Sequence, residues 1–411
     1  MSRLPYSLPV GWPLAAAAAI AIIAVAGCSS GGGSSKPAGL NGTVTGVSAN
    51  SVYARENAAA SSSLTPAAGS FLAGKTTVSL VGSTTPVNGD INPYAIWPVT
   101  ENTGSVRAGD VLVDNFNNAS NNQGTGTTIV DVHPGGSLSV FAQIPQHLSG
   151  CPGGVGLTTA MVMLKTGWVI VGSLPSANGK IGTAGAGCLI ELSPEGRVAG
   201  TISGSYLDGP WDAAVADHGS TASLFVTNTL VGITASSSDS VNVDKGDVVR
   251  LSLSQTAASP PKVTAETVIG SGFPERPDAS AFVKGPTGLA LGANGTLYVA
   301  SNPANAIDAI PDALTRMSSA GTGSVLTSGG QLANPLGLAL APDGDLIAAN
   351  ATNGKIVEVT PAGRQAGEYY ADDDIGQEPP GNGDLFDVAI NQAGTGVLFV
   401  NDGTNVLQLL H

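Results

Sequence analysis

Gly285-Pro-Thr-Gly-Leu-Ala-Leu-Gly-Ala-Asn-Gly-Thr-Leu-Tyr-Val-Ala-Ser-Asn302 lines up with Asn334-Pro-Leu-Gly-Leu-Ala-Leu-Ala-Pro-Asp-Gly-Asp-Leu-Ile-Ala-Ala-Asn350. Each copy is a short apolar run, a Gly-containing turn and a second apolar run, the pattern of an antiparallel hairpin. A looser copy spans Phe386 to Asn401, and earlier ones open at Asn92, Gly154 and Gly209. A second signature follows downstream: Asp131-Val-His-Pro-Gly-Gly136, Glu191-Leu-Ser-Pro-Glu-Gly196 and Glu358-Val-Thr-Pro-Ala-Gly363. Its form is acid, hydrophobe, polar residue, Pro, any residue, Gly. Pro presets the first dihedral of a β-turn and Gly tolerates its exit, so this signature joins a third strand to a fourth.

Four short strands recurring about every 55 residues predict an all-β, six-bladed β-propeller over residues 71–411, its units opening near Asn92, Gly154, Gly209, Gly285, Asn334 and Asp384. The last unit shows three clear strands before the chain reaches His411. The stretch Thr76-Thr-Val-Ser-Leu-Val81 supplies the fourth and removes an exposed sheet edge. Composition agrees. Charged residues are 11% of the chain, aromatics 5%, and Gly and Pro number 56 and 26, too few charges and too many breakers for a helical bundle. A net charge of -14 repels nucleic acid, which is excluded as a partner.

The Pro-x-Gly-Leu-Ala openings at Pro286 and Pro335 and the strands Leu297-Tyr-Val-Ala-Ser-Asn302 and Leu346-Ile-Ala-Ala-Asn350 are similar to the propellers of the NHL-repeat and gluconolactonase-like group. Streptogramin lyase is a more distant relation by the same pattern. That group includes lactonases, lyases and pure binding modules, so the resemblance implies architecture more than activity.

The N-terminus reads as an address. Leu14 to Ala26 is an apolar run of 13 residues, short of the roughly 20 that span a bilayer, and it ends in Val25-Ala26-Gly27-Cys28. This resembles a bacterial lipobox, which implies a signal peptide over 1–27, lipidation of Cys28 and a Gly/Ser/Ala-rich tether over 28–70. The expected location is the cell envelope, lipid-anchored in a membrane, and the outer membrane if the cell has two, because Ser29 follows the cysteine. The remaining two cysteines, Cys151 and Cys188, then sit in an oxidising compartment and are expected to form a disulfide.

The long connections fall mainly on one face of the disc, at Asn115–Thr127, Ser173–Gly187, Asn228–Gly246, Gly272–Gly285 and Ala371–Asp384, with Pro98–Gly109 the longest exception, which marks that face as the binding face. One column of the innermost strands aligns Ala95, Gly156, Asp212, Gly288, Gly337 and Asp387. Asp212 and Asp387 face each other across the ring at the channel mouth. They are candidate ligands for Ca2+ or another divalent cation, against a reading in which each caps local amides. The resemblance implies a Glu/Asn/Asn/Asp metal set, of which only the Asp positions find matches. The recurrent Asn115, Asn228, Asn302, Asn350 and Asn401 read as turn hydrogen bonds. The run Asp372-Asp-Asp374 with Glu378 reads as a solvated acidic loop. Tyr94, Trp97, Trp211, Tyr369, Tyr370 and Phe386 could line a sugar or lactone site or pack between blades. No nucleophile elbow, zinc helix motif or phosphate loop is present, and the catalytic residues, if any, are not identified. The leading expectation is a binding module for a small molecule, glycan or envelope protein. The alternatives are a metal-dependent lactonase or esterase at Asp212 and Asp387, and a structural envelope-assembly protein.

Overall fold

The computed structural model describes residues 66–411 except Ala235, Ser280, Asp373 and Ile375. The signal segment, Cys28 and the tether to residue 65 lie outside the described residues. Among those described, helix is confined to two single turns, Ile181–Thr183 and Asn302–Ala304. The rest is strand and turn.

Strand β1 (Val78–Ser83) precedes the first blade, which is β2 (Ile91–Pro98), β3 (Val111–Asn117), β4 (Thr128–Val132) and β5 (Leu138–Gln143). The second blade is β6 (Leu157–Met163), β7 (Val169–Ser173), β8 (Cys188–Leu192) and β9 (Val198–Ile202). The third is β10 (Pro210–Asp217), β11 (Thr221–Asn228), β12 (Val243–Thr256), β13 (Ser259–Asp278) and β14 (Phe282–Lys284). The fourth is β15 (Pro286–Leu291), β16 (Leu297–Ser301), β17 (Ala306–Ile310) and β18 (Ser324–Ser328). The fifth is β19 (Pro335–Leu340), β20 (Leu346–Asn350), β21 (Lys355–Val359) and β22 (Gln365–Tyr370). The sixth is β23 (Leu385–Ile390), β24 (Val397–Asn401) and β25 (Val406–Leu410), with β1 as its outer strand.

Each innermost strand packs on the next around the ring, and β23 packs on β2, so the six sheets close into a propeller. A blade held between two neighbours buries both of its faces. Its middle strands are therefore apolar without alternation, and β7, β16 and β20 are buried at every position. Outer strands meet solvent, and β5 and β18 each leave about half of their positions exposed.

Closure occurs as the sequence predicts. β1 runs antiparallel to β25, from Val78 opposite Leu410 to Ser83 opposite Val406. The Thr76 and Thr77 amides both donate to the His411 carbonyl, at 3.2 and 3.1 Å, which ties the two ends of the ring together. Cys151 and Cys188 are joined with Cα atoms 5.5 Å apart, and Cys188 opens β8 on the loop-rich face.

The third blade departs from expectation. Most of the predicted loop 272–285 is strand, because β13 continues to Asp278 before β14 returns along it, while loop 228–246 gives way to strand only from Val243, where β12 begins. Pro274 and Pro277 lie within this extension, beyond the blade proper, where missing N–H donors interrupt no central ladder.

Candidate functional site

Two cavities lie over the ring axis, one at each end. The larger, of about 710 Å³, opens among the inter-strand connections of the loop-rich face. The smaller, of about 310 Å³, is lined by the far halves of all six innermost strands, including Thr159, Asp212, Leu289, Leu338 and Asp387. An aromatic layer separates them. Tyr94 stacks on Phe116 and Phe386 with ring centres 4.6 and 4.4 Å apart, and Trp211 meets Tyr94 edge-on at 5.7 Å. Phe282, brought in by the extension of the third blade, completes the cluster against Phe116.

Of the predicted aromatics, then, Tyr94, Trp211 and Phe386 come together and the others do not. Trp97 lines the opposite cavity. Tyr369 and Tyr370 lie on an outer strand, where Tyr369 donates to the Thr76 carbonyl and Tyr370 lies beneath the Lys355 ammonium. Phe116 and Phe282 carry no repeat signal that would mark them in sequence.

Above the aromatic floor the larger cavity is lined by amides. Asn92, Asn117 and Asn302 are 2%, 3% and 1% exposed, and the Oδ1 of each is buried without a hydrogen-bond partner. Their placement follows from turn chemistry. Asn92 and Asn334, each the residue before the proline that opens an innermost strand, adopt left-handed φ of 62° and 51°. Asn405 and Asn305, left-handed themselves, accept the amides of Asn92 and Asn334 from the adjacent blade at 2.7 and 2.6 Å. Asn tolerates this conformation better than other residues with a side chain. The same clasp thus recurs at two blade junctions and holds two Asn residues at the cavity wall.

Asp402 is the carboxylate of this cavity. Burial, and then the neighbouring Asp384, push its pKa up to about 7. Burial and Asp402 in turn hold the Tyr94 phenol well above its usual value. The recurrent Asn residues at the ends of the second strands, expected to make local turn bonds, donate instead to main-chain carbonyls far along the chain. Asn115 donates to the Thr84 carbonyl, Asn228 to that of Tyr206, Asn302 to that of Asn334 and Asn350 to that of Gln331. In the acidic loop, Asp372 accepts the Asp374 amide and a side-chain hydrogen from Asn401, and Asp374 accepts the Gly376 amide.

Asp212 and Asp387 lie on the other side of the aromatic layer from the Asn-lined cavity. Each carboxylate spans a blade junction. Asp212 accepts its own blade's Ala213 amide at 2.8 Å and the Leu289 amide at 2.7 Å, while Asp387 accepts Val388 at 2.8 Å and Ile96 at 3.0 Å. Asp114, missed in sequence because it sits on a second strand, accepts the Ala95 amide within its own blade at 2.9 Å. Burial pushes Asp387 up to about 7 and drives Asp212 and Asp114 upward too, with Asp387 adding to both. The predicted column holds with one correction. Leu157 pairs with Ser173 as Pro286 pairs with Ser301, so Gly156 lies ahead of the column, as Gly285 does, and Thr159 is the second-blade residue at the cavity with Asp212 and Asp387. Gly337 is small for a reason: a Cβ there would lie 2.7 Å from both Cα and Oδ1 of Asp387.

No protein-family model matches this sequence, and no curated protein sequence does. Solved structures do resemble it, and they are gluconolactonase-like six-bladed propellers and related rings. A putative gluconolactonase is 14% identical with a TM-score of 0.50, over 85% of this chain and 97% of that one. A calcium-binding regucalcin from Agrobacterium tumefaciens is 13% identical with a TM-score of 0.51, over 80% and 93%. A glucose dehydrogenase is 15% identical with a TM-score of 0.50, over 81% and 98%. At this identity the likeness establishes the fold.

Proposed function

We propose that the chain is a lipid-tethered propeller whose loop-rich cavity binds a small, neutral, polyhydroxylated molecule of the sugar or sugar-lactone class. One observation carries this reading: three of the residues that line one cavity, Asn92, Asn117 and Asn302, each keep a buried amide oxygen with no hydrogen-bond donor. A buried acceptor left unpaired costs about 1–3 kcal/mol, and a ligand rich in hydroxyl donors recovers it. Trp211, Tyr94 and Phe386 offer an apolar floor for the C–H face of a sugar ring. The anchor rests on the Cys28 motif and would place the cavity outside the cytoplasm.

The test is a binding screen of monosaccharides and aldonolactones on the full chain, read by Trp fluorescence and calorimetry. Saturable binding that is lost in Asn117→Ala and Trp211→Ala supports the reading. No binding of any member at millimolar concentration refutes it.

A second reading, metal-dependent lactone hydrolysis, is favoured by Asp402. A group with a pKa of about 7 is suited to accept a proton from an attacking water near neutrality. The other donors also fit a hard cation, since amide oxygens such as those of Asn92, Asn117 and Asn302 are ligands Ca2+ takes, which would leave Asp402 free as the base. Such an ion, when bound, would polarise the lactone carbonyl. Lactone hydrolysis followed by proton release, abolished in Asp402→Asn, would establish it. A cation on Asp212 and Asp387 is the competing placement, and loss of bound metal in their Asn variants alone would favour it.

A further inference from the structure

The acid of the second sequence signature is buried in all three blades that carry it, yet its surroundings differ. In the fifth blade Glu358 accepts the Phe71 and Leu72 amides at 2.6 and 2.9 Å, so both oxygens are satisfied by main chain. In the second blade Glu191 stands alone and burial raises it to about 7. In the first blade no main-chain amide reaches Asp131. It meets Asp110 from the turn before β3 and His133 from its own turn instead, on the face away from the Asn-lined cavity.

One potential ligand atom from each of these three residues lies within 4.8 Å of the others. His133 Nδ1 is 3.0 Å from Asp110 Oδ1 and 3.6 Å from Asp131 Oδ2. Two ligands about 2.1 Å from a common ion are about 3.0 Å apart at a right angle and about 3.4 Å apart at a tetrahedral one. The spacing therefore suits a shared ion. Asp110 and Asp131 are each 3% exposed, and Asp131 Oδ1 has no partner at all. Arg107 turns its guanidinium to the Gly104 and Val106 carbonyls and gives Asp110 its amide. Two buried carboxylates thus share at most one imidazolium, which leaves negative charge uncompensated. The far side of the ring is also prepared. His133 Nε2 lies 3.1 Å from Ser139 Oγ, the kind of outer contact that fixes a metal-bound imidazole with Nδ1 facing inward.

We propose that Asp110, Asp131 and His133 form a site for a divalent transition-metal ion, bound through two carboxylate oxygens and His133 Nδ1. One imidazole nitrogen with two carboxylates suits Zn2+ and its neighbours rather than Ca2+, which takes oxygen ligands. The ion would pin the turn before β3 to the turn between β4 and β5, as the Phe71 and Leu72 amides do for Glu358 in the fifth blade. This site is separate from the ligand cavity and stands or falls independently of it.

The test is Zn2+ titration of the untagged full chain in detergent, by calorimetry and by 15N-imidazole NMR, with Ca2+ as the comparison ion. The expected result is one Zn2+ whose binding moves the His133 Nδ1 resonance. Affinity should fall at least tenfold in Asp131→Asn and in His133→Ala, and stay unchanged in Asp212→Asn and Asn117→Ala. Absence of Zn2+ binding, or binding that leaves the His133 nitrogens unmoved in the wild-type chain, overturns the proposal. Because the NMR arm uses unaltered protein, a variant that fails to fold does not blunt the test.

Discussion

Replacing Glu275 by Gln should change how stability depends on pH more than it changes stability at any one pH. Glu275 lies on β13 opposite Val243, is 0% exposed, and has neither carboxylate oxygen hydrogen-bonded. Burial raises its pKa from 4.5 to about 9, with Asp247 and Asp208 adding to the rise and Lys245 opposing it. In the folded chain it therefore stays protonated up to about pH 9, whereas in the unfolded chain it ionises near 4.5. Between those limits the folded state holds one more proton than the unfolded state. Folding stability then falls by about 1.4 kcal/mol for each unit that pH rises. Its contribution is fully present below the unfolded pKa and is lost as pH climbs toward the folded one. From pH 6 to pH 8 the loss is about 3 kcal/mol. Gln keeps the shape and carries no titrating proton, so it removes this slope while adding an offset that pH does not alter. Urea unfolding followed by Trp fluorescence at pH 6, 7 and 8 measures the difference. The stability of Glu275→Gln relative to wild type should improve by about 3 kcal/mol across that range. A difference constant to within about 0.5 kcal/mol would show that the carboxyl ionises freely in the folded chain, and the reasoning from burial would fail.

Deleting Lys75–Val81 strips the outer strand from the sixth blade, exposes the β25 edge and removes the buried Val78 side chain, so the melting temperature should drop sharply and size-exclusion chromatography should show aggregation. An unchanged melt would argue against closure by β1. Reducing the Cys151–Cys188 bond, which closes a 37-residue separation, should cost about 4 kcal/mol by the chain-entropy estimate, measurable by unfolding with and without reductant. Cys28→Ser should move the chain from the membrane pellet to the soluble fraction and abolish acyl labelling. A variant still in the pellet would remove the case for a lipid anchor.

The architecture was readable because a propeller repeats its turns. Pro-x-Gly-Leu-Ala and Pro-x-Gly each impose a local backbone shape wherever they occur, and the copies could be aligned without knowing the fold. The site was readable only in part, because its geometry depends on register and on contacts between blades. Gly156 was placed too early because the second blade begins its pairing at Leu157, where the better-matched copies carry a proline, and no local signal announces it. Asn92 and Asn334 stood out as unit openings, but their left-handed conformation depends on Asn405 and Asn305, which reach them only after the ring has formed. Asp212 and Asp387 were visible as departures from a column of small residues. That they bond amides across blade junctions followed only from the structure.

The three signature acids show why a repeat can conserve shape while its chemistry diverges. The turn needs Pro and Gly; the acid ahead of them points into the blade, and the fold is indifferent to what meets it there. In the fifth blade the segment around Phe71 supplies two amides, so the acid serves as a latch for the entering chain. In the second blade the residue before β7 is Trp168 rather than an acid, and Glu191 avoids the cost of charge by holding its proton up to about pH 7. In the first blade Asp110 occupies that preceding position and His133 the polar place in the signature. No amide reaches Asp131, which instead faces a second carboxylate, Asp110, together with the His133 imidazole. A bound cation satisfies all three groups at once, and it does so at the one blade where the sequence places an imidazole beside the acid pair.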